Sequence, residues 1–344
     1  MKVAIIGAGF GQYAVAPVYR KLGFEVEVVT PRDKEAVERA LASKVDLVSI
    51  HSPPFMQHDH VIKAIEHGHA VLCDKPFGVN AKQARAMRDR ARERGVLNFM
   101  NFETRCHPWR VKFKELAHSG VIGTPRHLSV AFFSNGFRHG TYGWINDREL
   151  GGGWISSMGS HLVDFTRWLF NSDVAKCGAM VRTEEPIQRD RDGVERTATA
   201  EDAYSAWFIM QNGCTSTQDT AYAAAVPLPA RYTLTGSEGA IEIVGNTKLT
   251  VRRAPDLAGV SAAERIRRGL LAGEGDEVFD FPPAPGEAHE PALTPWFGKI
   301  KDALATRTQI TPSFDDGVAM AEVIDQLKAG AVRVNQQQPV ASKA

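Results

Sequence analysis

Short apolar runs alternate with longer mixed stretches through the first third of the chain. Apolar runs of this length, bounded by glycine, proline or a polar turn, are typical of buried strands, and the stretches between them are predicted as helices. The predicted strands are residues 2–6, 25–29, 46–50, 70–73 and 96–101. The predicted helices are residues 13–22, 34–43, 55–67, 81–94 and 109–119. Strands that alternate with helices imply right-handed βαβ units and a parallel sheet.

From residue 123 onward, strands dominate the pattern. Gln211, Asn212 and Gly213 separate two alternating runs and predict a hairpin. The predicted strands are residues 126–134, 174–182, 203–210, 214–221, 231–236, 240–244 and 248–252. The predicted helices are residues 153–170, 295–307 and 315–332. These elements predict a second, antiparallel or mixed sheet.

Four stretches are expected to lie outside this framework. Residues 135–150 form a loop rich in glycine and aromatic residues, and the charged stretch 183–200 is a hairpin tip or a loop. Residues 254–295 are rich in proline, glycine and charge, and they are predicted to be an exposed insertion with one short helix near residues 262–271. The last residues, 336–344, are expected to fray.

Composition and charge limit the class of protein. A chain of 344 residues is long enough for two domains, and 43% hydrophobic and 24% charged residues are ordinary for a soluble globular protein. The formal net charge of +1 creates no field that would recruit nucleic acid or an anionic membrane. No run reaches the roughly 18 apolar residues of a membrane span, and the N-terminus lacks the pattern of a signal peptide. The four scattered cysteines lack metal-ligand spacing, so a reduced, cytoplasmic protein without a metal is expected.

A glycine-rich turn directly follows the first predicted strand. Gly7 permits a tight turn, and Gly9 lets the backbone approach a pyrophosphate at the N-terminus of the next helix. The third glycine of the dinucleotide fingerprint G-x-G-x-x-G would stand at Gln12, and Gly11 precedes that position by one residue. We therefore interpret the turn, with Phe10 inside it, as a variant dinucleotide-binding loop.

Residues after the second predicted strand bear on the choice of cofactor. An acid at the strand end would hydrogen-bond the ribose of NAD. Thr30 stands there instead, and Arg32 is a candidate partner for the 2′-phosphate of NADP. Asp33 comes late enough to cap the following helix. This pattern favours NADP over NAD without excluding NAD.

The strongest candidate for chemistry is Asp74-Lys75-Pro76, where a buried strand ends abruptly. Ligands of open α/β sheets bind at the carboxyl ends of strands. A lysine there, partly removed from water, is suited to acid–base work. In isolation the same tripeptide would more often be a surface lysine beside a turn.

Several motifs in this order resemble the Gfo/Idh/MocA oxidoreductase family, the group of glucose–fructose oxidoreductase and inositol dehydrogenase. The motifs are the glycine loop, Ser52-Pro53-Pro54 with His58, Asp74-Lys75-Pro76, the triple glycine at residues 151–153, and residues 159–164. The resemblance covers roughly residues 1–251. It implies an α/β protein with an N-terminal Rossmann doubly wound parallel sheet in residues 1–122. It also implies a C-terminal α/β domain with a large open, mostly antiparallel sheet in residues 123–344.

The family resemblance also implies bound NADP or NAD and assigns site residues. Expected cofactor-binding residues are Gly7, Gly9, Phe10, Gly11, Gln12, Thr30, Arg32, Ser52, Pro53, His58, Asp74 and Lys75. Expected substrate-binding residues are Lys75, Glu103, Arg105, Trp154, Ser157 and His161, and the expected catalytic residues are Lys75 and His161.

Two positions depart from the family pattern. The usual Glu-Lys-Pro is Asp74-Lys75-Pro76, one methylene shorter. The aspartate that commonly stands four residues before the family histidine is Ser157, so a carboxylate is missing. Glu103, where an uncharged polar residue is frequent, is a candidate to replace that carboxylate in part.

Side chains on the helix predicted over residues 153–170 define the second half of the site. Ser157, His161 and Asp164 share one face by their spacing. Asp164 either accepts the ring N–H of His161 and fixes its tautomer, or is an ordinary solvated acid. Arg105, before Pro108, favours an interdomain salt bridge over direct substrate contact.

Together these features predict an NAD(P)-dependent oxidoreductase that acts on a sugar, polyol or similar hydroxylated small molecule, with Lys75 as acid and base. Two alternatives stay open, a non-catalytic dinucleotide sensor or regulatory subunit and a glycosidase or lyase that recycles its cofactor. The resemblance further implies a homodimer or homotetramer assembled through the C-terminal sheet.

Overall fold

The structure is a computed structural model that describes residues 1–255, 258–261, 263–264, 267, 276–283 and 288–334. Within these ranges, one five-stranded and one nine-stranded sheet dominate, beside a small two-stranded sheet. The predicted fold class, a parallel Rossmann-type sheet followed by a second α/β unit, is confirmed. No helix among the described residues is long and apolar enough to cross a lipid bilayer.

The first sheet is entirely parallel. Across the sheet its strands are β2 (Glu25–Val29), β1 (Lys2–Ile6), β3 (Leu47–Ile50), β4 (Ala70–Asp74) and β5 (Asn98–Asn101). The chain runs outward from β1 first to one side and then to the other, so the strand order reverses between β1 and β3. At such a switch point the connections diverge and leave a crevice outside the carboxyl ends of the strands.

Helices cover both faces of this sheet. They are α1 (Ala16–Lys21), α2 (Lys34–Ala42), α3 (Pro54–Glu66), α4 (Ala81–Arg94) and α5 (Pro108–His118). A π-helical turn, Gly11–Val15, leads into α1. Local sequence explains the helix ends: the side chains of Asp33 and Asn80 accept the backbone N–H groups of Ala36 and Gln83.

The second sheet is mixed. Across the sheet its strands are β15 (Glu277–Asp280), β14 (Lys248–Arg253), β13 (Gly239–Val244), β12 (Leu228–Gly236), β6 (Pro125–Phe133), β11 (Thr215–Ala221), β10 (Ala203–Met210), β7 (Val174–Arg182) and β16 (Val332–Arg333). The pairs β6–β11 and β7–β16 are parallel, and the others are antiparallel. The small sheet pairs β8 (Ile187–Arg189) with β9 (Glu195–Thr197), which makes the charged stretch 183–200 a hairpin.

Three helices join the two units. The helix α6 (Ser160–Phe170) follows a π-helical turn, Ile155–Gly159, and packs with α8 (Phe314–Gly330) against the second sheet. The helix α8 also packs on α4, and α7 (Glu290–Thr306) returns to the first sheet. There Phe297 stacks on Tyr19 with ring centroids 4.1 Å apart. The proposed division of the chain at residue 122 remains a prediction, since α7 packs on the N-terminal unit.

The prediction for residues 254–295 was wrong in two places. Residues 277–280 form an edge strand of the large sheet, with Val251 paired to Glu277. The following helix begins at Glu290 and not at Pro295, because Pro291 occupies its first turn. The short helix predicted near 262–271 and the frayed end 336–344 lie largely or wholly outside the described residues.

Candidate active site

Two glycines of the glycine loop are packed against neighbouring residues, and a third faces open space. A Cβ on Gly7 would lie 2.8 Å from Cβ of His51, and a Cβ on Gly11 would lie 2.9 Å from Ile5. A Cβ on Gly9 would meet nothing within 4 Å. Glycine is therefore needed at Gly7 and Gly11 for packing, while Gly9 leaves the space that a pyrophosphate would occupy. The loop fits the dinucleotide that the sequence predicts.

The position of Gly11 explains the variant fingerprint. Gly11 packs against β1, which is the close helix–strand contact that the third fingerprint glycine normally permits. Gln12, at the position of that glycine, is exposed, and its backbone N–H donates to the carbonyl oxygen of Gly9. A side chain is tolerated at residue 12 because the contact has moved one residue earlier.

The turn after β2 presents the residues expected to select the cofactor. Thr30 and Arg32 are both exposed, and the described part of the chain offers Arg32 no ion pair. Asp33 is occupied as the cap of α2.

His60, on α3, was missed by the sequence reasoning. It is buried and bonds Ser52 Oγ through Nδ1 at 3.0 Å. Burial holds the pKa of His60 below its usual value.

Gln57, and not His58, faces the end of β4. Gln57 donates from Nε2 to the carbonyl oxygen of Asp74 at 3.0 Å and accepts the Gly78 N–H at 2.7 Å. His58 points outward and bonds Asp59 through Nδ1 at 3.1 Å. The buried positions of α3 include residues 57, 60, 61 and 64, a helical spacing that identifies Gln57 and His60 as inward-facing.

Lys75 stands at the carboxyl end of β4, half-buried, with Nζ 3.3 Å from the carbonyl oxygen of Ser157. Its backbone N–H donates to Oδ1 of Asp74 at 2.9 Å, and Oδ2 of Asp74 lies 3.1 Å from Nδ1 of His51. Burial alone would raise the pKa of the Asp74 carboxyl, but the bond to His51 and the charge of Lys75 hold that pKa below its usual value. Asn101 Oδ1, at the end of β5, is buried without a partner in the described ranges.

His161 is the second predicted catalytic residue, and it lies buried on the first turn of α6. Burial, together with the positive charges of Lys75 and Arg110, keeps the pKa of His161 well below its usual value, so its ring is neutral. Its Nδ1 lies 3.4 Å from Oγ1 of Thr104, which accepts a hydrogen bond from Arg110 at 3.1 Å. Thr104 and Arg110 were not predicted as site residues.

Asp164 has a different partner from either predicted one. Its carboxylate is fully buried and pairs with Arg105, with Nε–Oδ2 at 2.9 Å and Nη2–Oδ1 at 2.5 Å. Arg105 also binds Asp316 at 2.8 Å. The predictions that Asp164 accepts the His161 ring N–H or is solvated were both wrong, because the buried guanidinium of Arg105 takes both carboxylate oxygens. Arg105 forms the salt bridge that was favoured for it, and its contact with substrate remains a prediction.

Glu103 lies beside a histidine that sequence reasoning missed. Its side chain is buried, with Oε1 3.6 Å from Nδ1 of His289. Its other oxygen, Oε2, has no partner among the described residues. The His289 ring also contacts the Phe10 ring of the glycine loop, with the ring centroids 4.9 Å apart. The positive charge of His289 is a further cause of the low pKa of His161. This pair therefore lies between the predicted cofactor loop and the predicted catalytic histidine.

Ser157 and Trp154 are placed by the turn before α6. The carbonyl oxygen of Ser157, not its hydroxyl, holds Lys75. The π-helical geometry of residues 155–159 departs from the regular helix that was predicted, and such turns are frequent at functional sites. Trp154 is buried and stacks on Tyr222 at 4.2 Å. Its predicted contact with substrate therefore stays a prediction.

Two family models match the chain. The one described as "Oxidoreductase family, NAD-binding Rossmann fold" matches residues 1–102, and the one described as "GFO/IDH/MocA C-terminal domain" matches residues 111–242. An uncharacterized oxidoreductase of Synechocystis sp. is 30% identical over 234 residues, 62% of this chain and 63% of that protein. D-glucoside 3-dehydrogenase of Escherichia coli is 28% identical over 198 residues, 51% of this chain and 56% of that protein. The matches span less than two thirds of both relatives.

Among solved structures, levoglucosan dehydrogenase in complex with NADH and L-sorbose has a similar fold. It superposes with a TM-score of 0.79 over 96% of this chain and 96% of that chain, at 18% sequence identity. The similarity extends over both units of the molecule.

Proposed function

The chain belongs to the GFO/IDH/MocA oxidoreductase family, and from that premise we propose that it is an NAD(P)-dependent dehydrogenase or reductase. Its substrate would be a sugar, a polyol or a similar hydroxylated small molecule that reacts at a CH–OH group. The names of D-glucoside 3-dehydrogenase and levoglucosan dehydrogenase support this substrate class. The observation that carries the proposal is the convergence of Lys75 and a neutral, buried His161 at the carboxyl end of β4.

Lys75 is the proposed proton carrier. An ammonium has three donors, and the carbonyl oxygen of Ser157 takes one of them, which leaves two for the cleft. In reduction Lys75 gives a proton to the carbonyl oxygen of the substrate, and in oxidation its neutral amine removes the proton of the hydroxyl. Its charge also stabilises negative charge that develops on the reacting oxygen.

His161 is proposed to orient that oxygen. Arg110 can only donate, so Thr104 Oγ1 accepts from it and keeps its own O–H for Nδ1 of His161. The neutral ring then carries its proton on Nε2. In this tautomer Nε2 is a hydrogen-bond donor, which suits a group that holds a carbonyl or alkoxide oxygen beside Lys75.

Residues of the first unit would hold the cofactor. The dinucleotide supplies the hydride chemistry when it is bound. Gly7, Gly9 and the start of the following helix would take the pyrophosphate, and Asn101 Oδ1 is a buried acceptor without a partner in the described ranges. Exposed Arg32 favours the 2′-phosphate of NADP, and Thr30 has no charge that would oppose it.

Glu103 is proposed to bind a substrate hydroxyl. One oxygen of this buried carboxylate lies near His289, and the other has no partner in the described part of the chain. A carboxylate in this position accepts a hydrogen bond from a substrate hydroxyl and disfavours an acidic substrate. The role would compensate in part for Ser157, where the family commonly has aspartate.

We also propose a homo-oligomer in a reducing compartment. The outer face of the large sheet exposes Met180, Trp207 and Ile209, which suits burial against a second copy. All four cysteines are free thiols, which is consistent with a reducing, cytoplasmic location. Light scattering on a size-exclusion column gives the mass, and a monomer at micromolar concentration would contradict the oligomer.

A substrate screen tests the function. Purified protein is offered a panel of aldoses, glycosides, polyols and their keto forms with NADP or NAD, and the reduced cofactor is followed by its absorbance. We expect net turnover with at least one neutral hydroxylated compound. Hydrolysis or elimination without net change of the cofactor would support the glycosidase or lyase alternative.

The serine at position 157, where the family commonly has aspartate, is the one observation that favours a non-catalytic sensor. If the protein merely tolerates the missing acid, Ser157→Asp should keep or raise turnover. If the pocket depends on Glu103 instead, a second carboxylate should lower turnover, and Glu103→Gln should lower it as well. Binding of cofactor and sugar without turnover, in wild type and in Ser157→Asp alike, would favour the sensor.

A further inference from the structure

His51 occupies the switch point of the first sheet, between the glycine loop and the end of β4. It directly follows β3, and its side chain is fully buried. Its Cβ lies 2.8 Å from the place of a Cβ on Gly7 and 3.4 Å from that of a Cβ on Gly11. Its ring centroid is 5.8 Å from that of Phe10. None of the sequence motifs includes His51, so a buried polar ring here needs its own explanation.

A chain of hydrogen bonds passes through His51 to Asp74. Nδ1 lies 3.1 Å from Asp74 Oδ2, and Nε2 lies 2.8 Å from Ser49 Oγ. Ser49 Oγ is in turn 3.3 Å from the hydroxyl of Tyr19, which is buried under Phe297. An ionised carboxylate only accepts, so Nδ1 carries the ring proton and Nε2 accepts from Ser49. The tautomer of His51 is therefore set by its neighbours.

Asp74 links this chain of hydrogen bonds to the backbone of Lys75. The bond to His51 occupies Oδ2, while Oδ1 accepts the backbone N–H of Lys75 at 2.9 Å and lies 3.4 Å from Nδ2 of Asn101. Rotation of a carboxylate about its last torsion is otherwise loosely restricted. Without His51 the carboxylate could turn away from the Lys75 backbone, and the contact from Lys75 Nζ to Ser157 would lose its anchor.

We propose that His51 is a positioning residue that fixes the Asp74 carboxylate and, through it, the backbone from which Lys75 reaches the substrate. The same side chain packs against Gly7 and Gly11. One residue therefore positions both the predicted cofactor loop and the end of β4, which directly precedes Lys75. Tests of this role that measure turnover rest on the proposed function. A histidine that only fills the core would affect stability without specific dependence on which ring nitrogen is kept.

Two substitutions separate the two ring nitrogens. In His51→Asn the side-chain amide lies near the position of Nδ1 and can still donate to Asp74. In His51→Gln the amide lies near Nε2 and can contact Ser49 but not Asp74. The matched control is His69→Gln, at the opposite end of β4, where Nε2 bonds the carbonyl oxygen of Leu41 at 2.7 Å.

We expect His51→Gln to lower kcat about tenfold to a hundredfold, because a displacement of about 1 Å caused by a remote mutation costs up to about 10²-fold. His51→Asn should recover most of that loss, and His69→Gln should leave kcat unchanged. The NADPH or NADH dissociation constant, from tryptophan fluorescence, should change less than kcat in both His51 variants. Equal losses of kcat in His51→Asn and His51→Gln would overturn the proposal.

Crystal structures of the variants give a readout that does not need activity. In His51→Gln we expect the Asp74 Oδ1 bond to Lys75 N, or the Lys75 Nζ contact with Ser157, to be lost, and in His51→Asn both should persist. If both persist in His51→Gln, His51 is only a core residue. Should the wild type show no turnover, the proposed function fails, and these structures alone decide the role of His51.

Ser49→Ala covers the case in which His51→Gln does not fold. This change removes the partner of Nε2 and leaves the ring and its bond to Asp74 in place, so the orientation of the ring loses one of its two anchors. A lowered kcat with retained thermal stability is expected, and an unchanged kcat would overturn the proposal.

Discussion

At the scale of the single residue, Lys75 is the side chain on which the proposed chemistry depends. We expect Lys75→Ala to lower kcat about 10²- to 10⁴-fold, the usual contribution of a positioned proton donor. Cofactor affinity should stay near that of the wild type, because the pyrophosphate would be held by backbone groups of the glycine loop. Steady-state kinetics and fluorescence titration measure both quantities.

The matched control for Lys75 is Lys82→Ala, an exposed lysine on α4. This variant should match the wild type in both measurements. Wild-type turnover in Lys75→Ala would remove Lys75 from the mechanism.

Arg32 is the residue that tests cofactor choice. Its exposed guanidinium follows β2, and a charge-assisted bond to a 2′-phosphate is worth roughly 1.5–3 kcal/mol. Arg32→Ala should therefore raise the NADPH dissociation constant about tenfold or more and leave that of NADH nearly unchanged. Lys34→Ala, an exposed cation two residues later, is the control. An equal effect of Arg32→Ala on both cofactors would contradict the preference for NADP.

At the scale of elements, the buried ion pair of Arg105 ties three segments together. Arg105 lies in the 3₁₀ turn Glu103–Cys106, Asp164 in α6 and Asp316 in α8. Burial raises the pKa of the Asp164 carboxyl, and the guanidinium of Arg105 opposes that shift. The same turn carries Glu103 and Thr104, so the ion pair also holds two residues of the candidate site.

Breaking this pair from one side should be costly. We expect Arg105→Met to lower the free energy of unfolding by about 3–5 kcal/mol, because it leaves the Asp164 carboxylate buried without its main partner. Adding Asp164→Leu should recover part of that loss, since two apolar residues leave no buried charge. Urea denaturation of both variants measures the effect. A double variant less stable than Arg105→Met would show that Asp164 has other important partners.

At the scale of the whole molecule, buried histidines make stability depend on pH. Burial lowers the pKa of His60 and His161, and it lowers that of His107 to about 4, with a further contribution from the charge of Arg110. In the unfolded chain these rings titrate near 6.5, so below about pH 6.5 the unfolded state binds more protons. Their contribution to stability is complete above that pH and is lost as the pH falls toward the lowered values.

Urea denaturation at several pH values tests this dependence. The free energy of unfolding should be level above about pH 7 and should fall between about pH 6.5 and 4. His107→Gln should make the fall shallower, because one of the titrating rings is gone. Identical slopes for wild type and His107→Gln would show that the His107 ring is accessible to protons in the folded state.

The sequence by itself determined the order of strands and helices, the glycine loop and the place of Lys75. These features depend on local signals, since an apolar run that ends in a glycine or proline turn stops a strand whatever packs on it. The family motifs identified His161 as a candidate catalytic residue in the same way. Helical spacing within α3 also identifies Gln57 and His60 as buried, although the motif pointed to the adjacent His58.

Only the tertiary structure decided which side chains meet across distant elements. His289 reaches Glu103 because α7 returns to the first sheet, and Asp164 turns to Arg105 because that guanidinium is buried beside it. At the switch point His51 meets Asp74 at the end of β4 and the ring of Phe10 in the glycine loop. Such contacts depend on how separate elements pack, and no spacing along the chain encodes the distance between residues that are far apart in sequence.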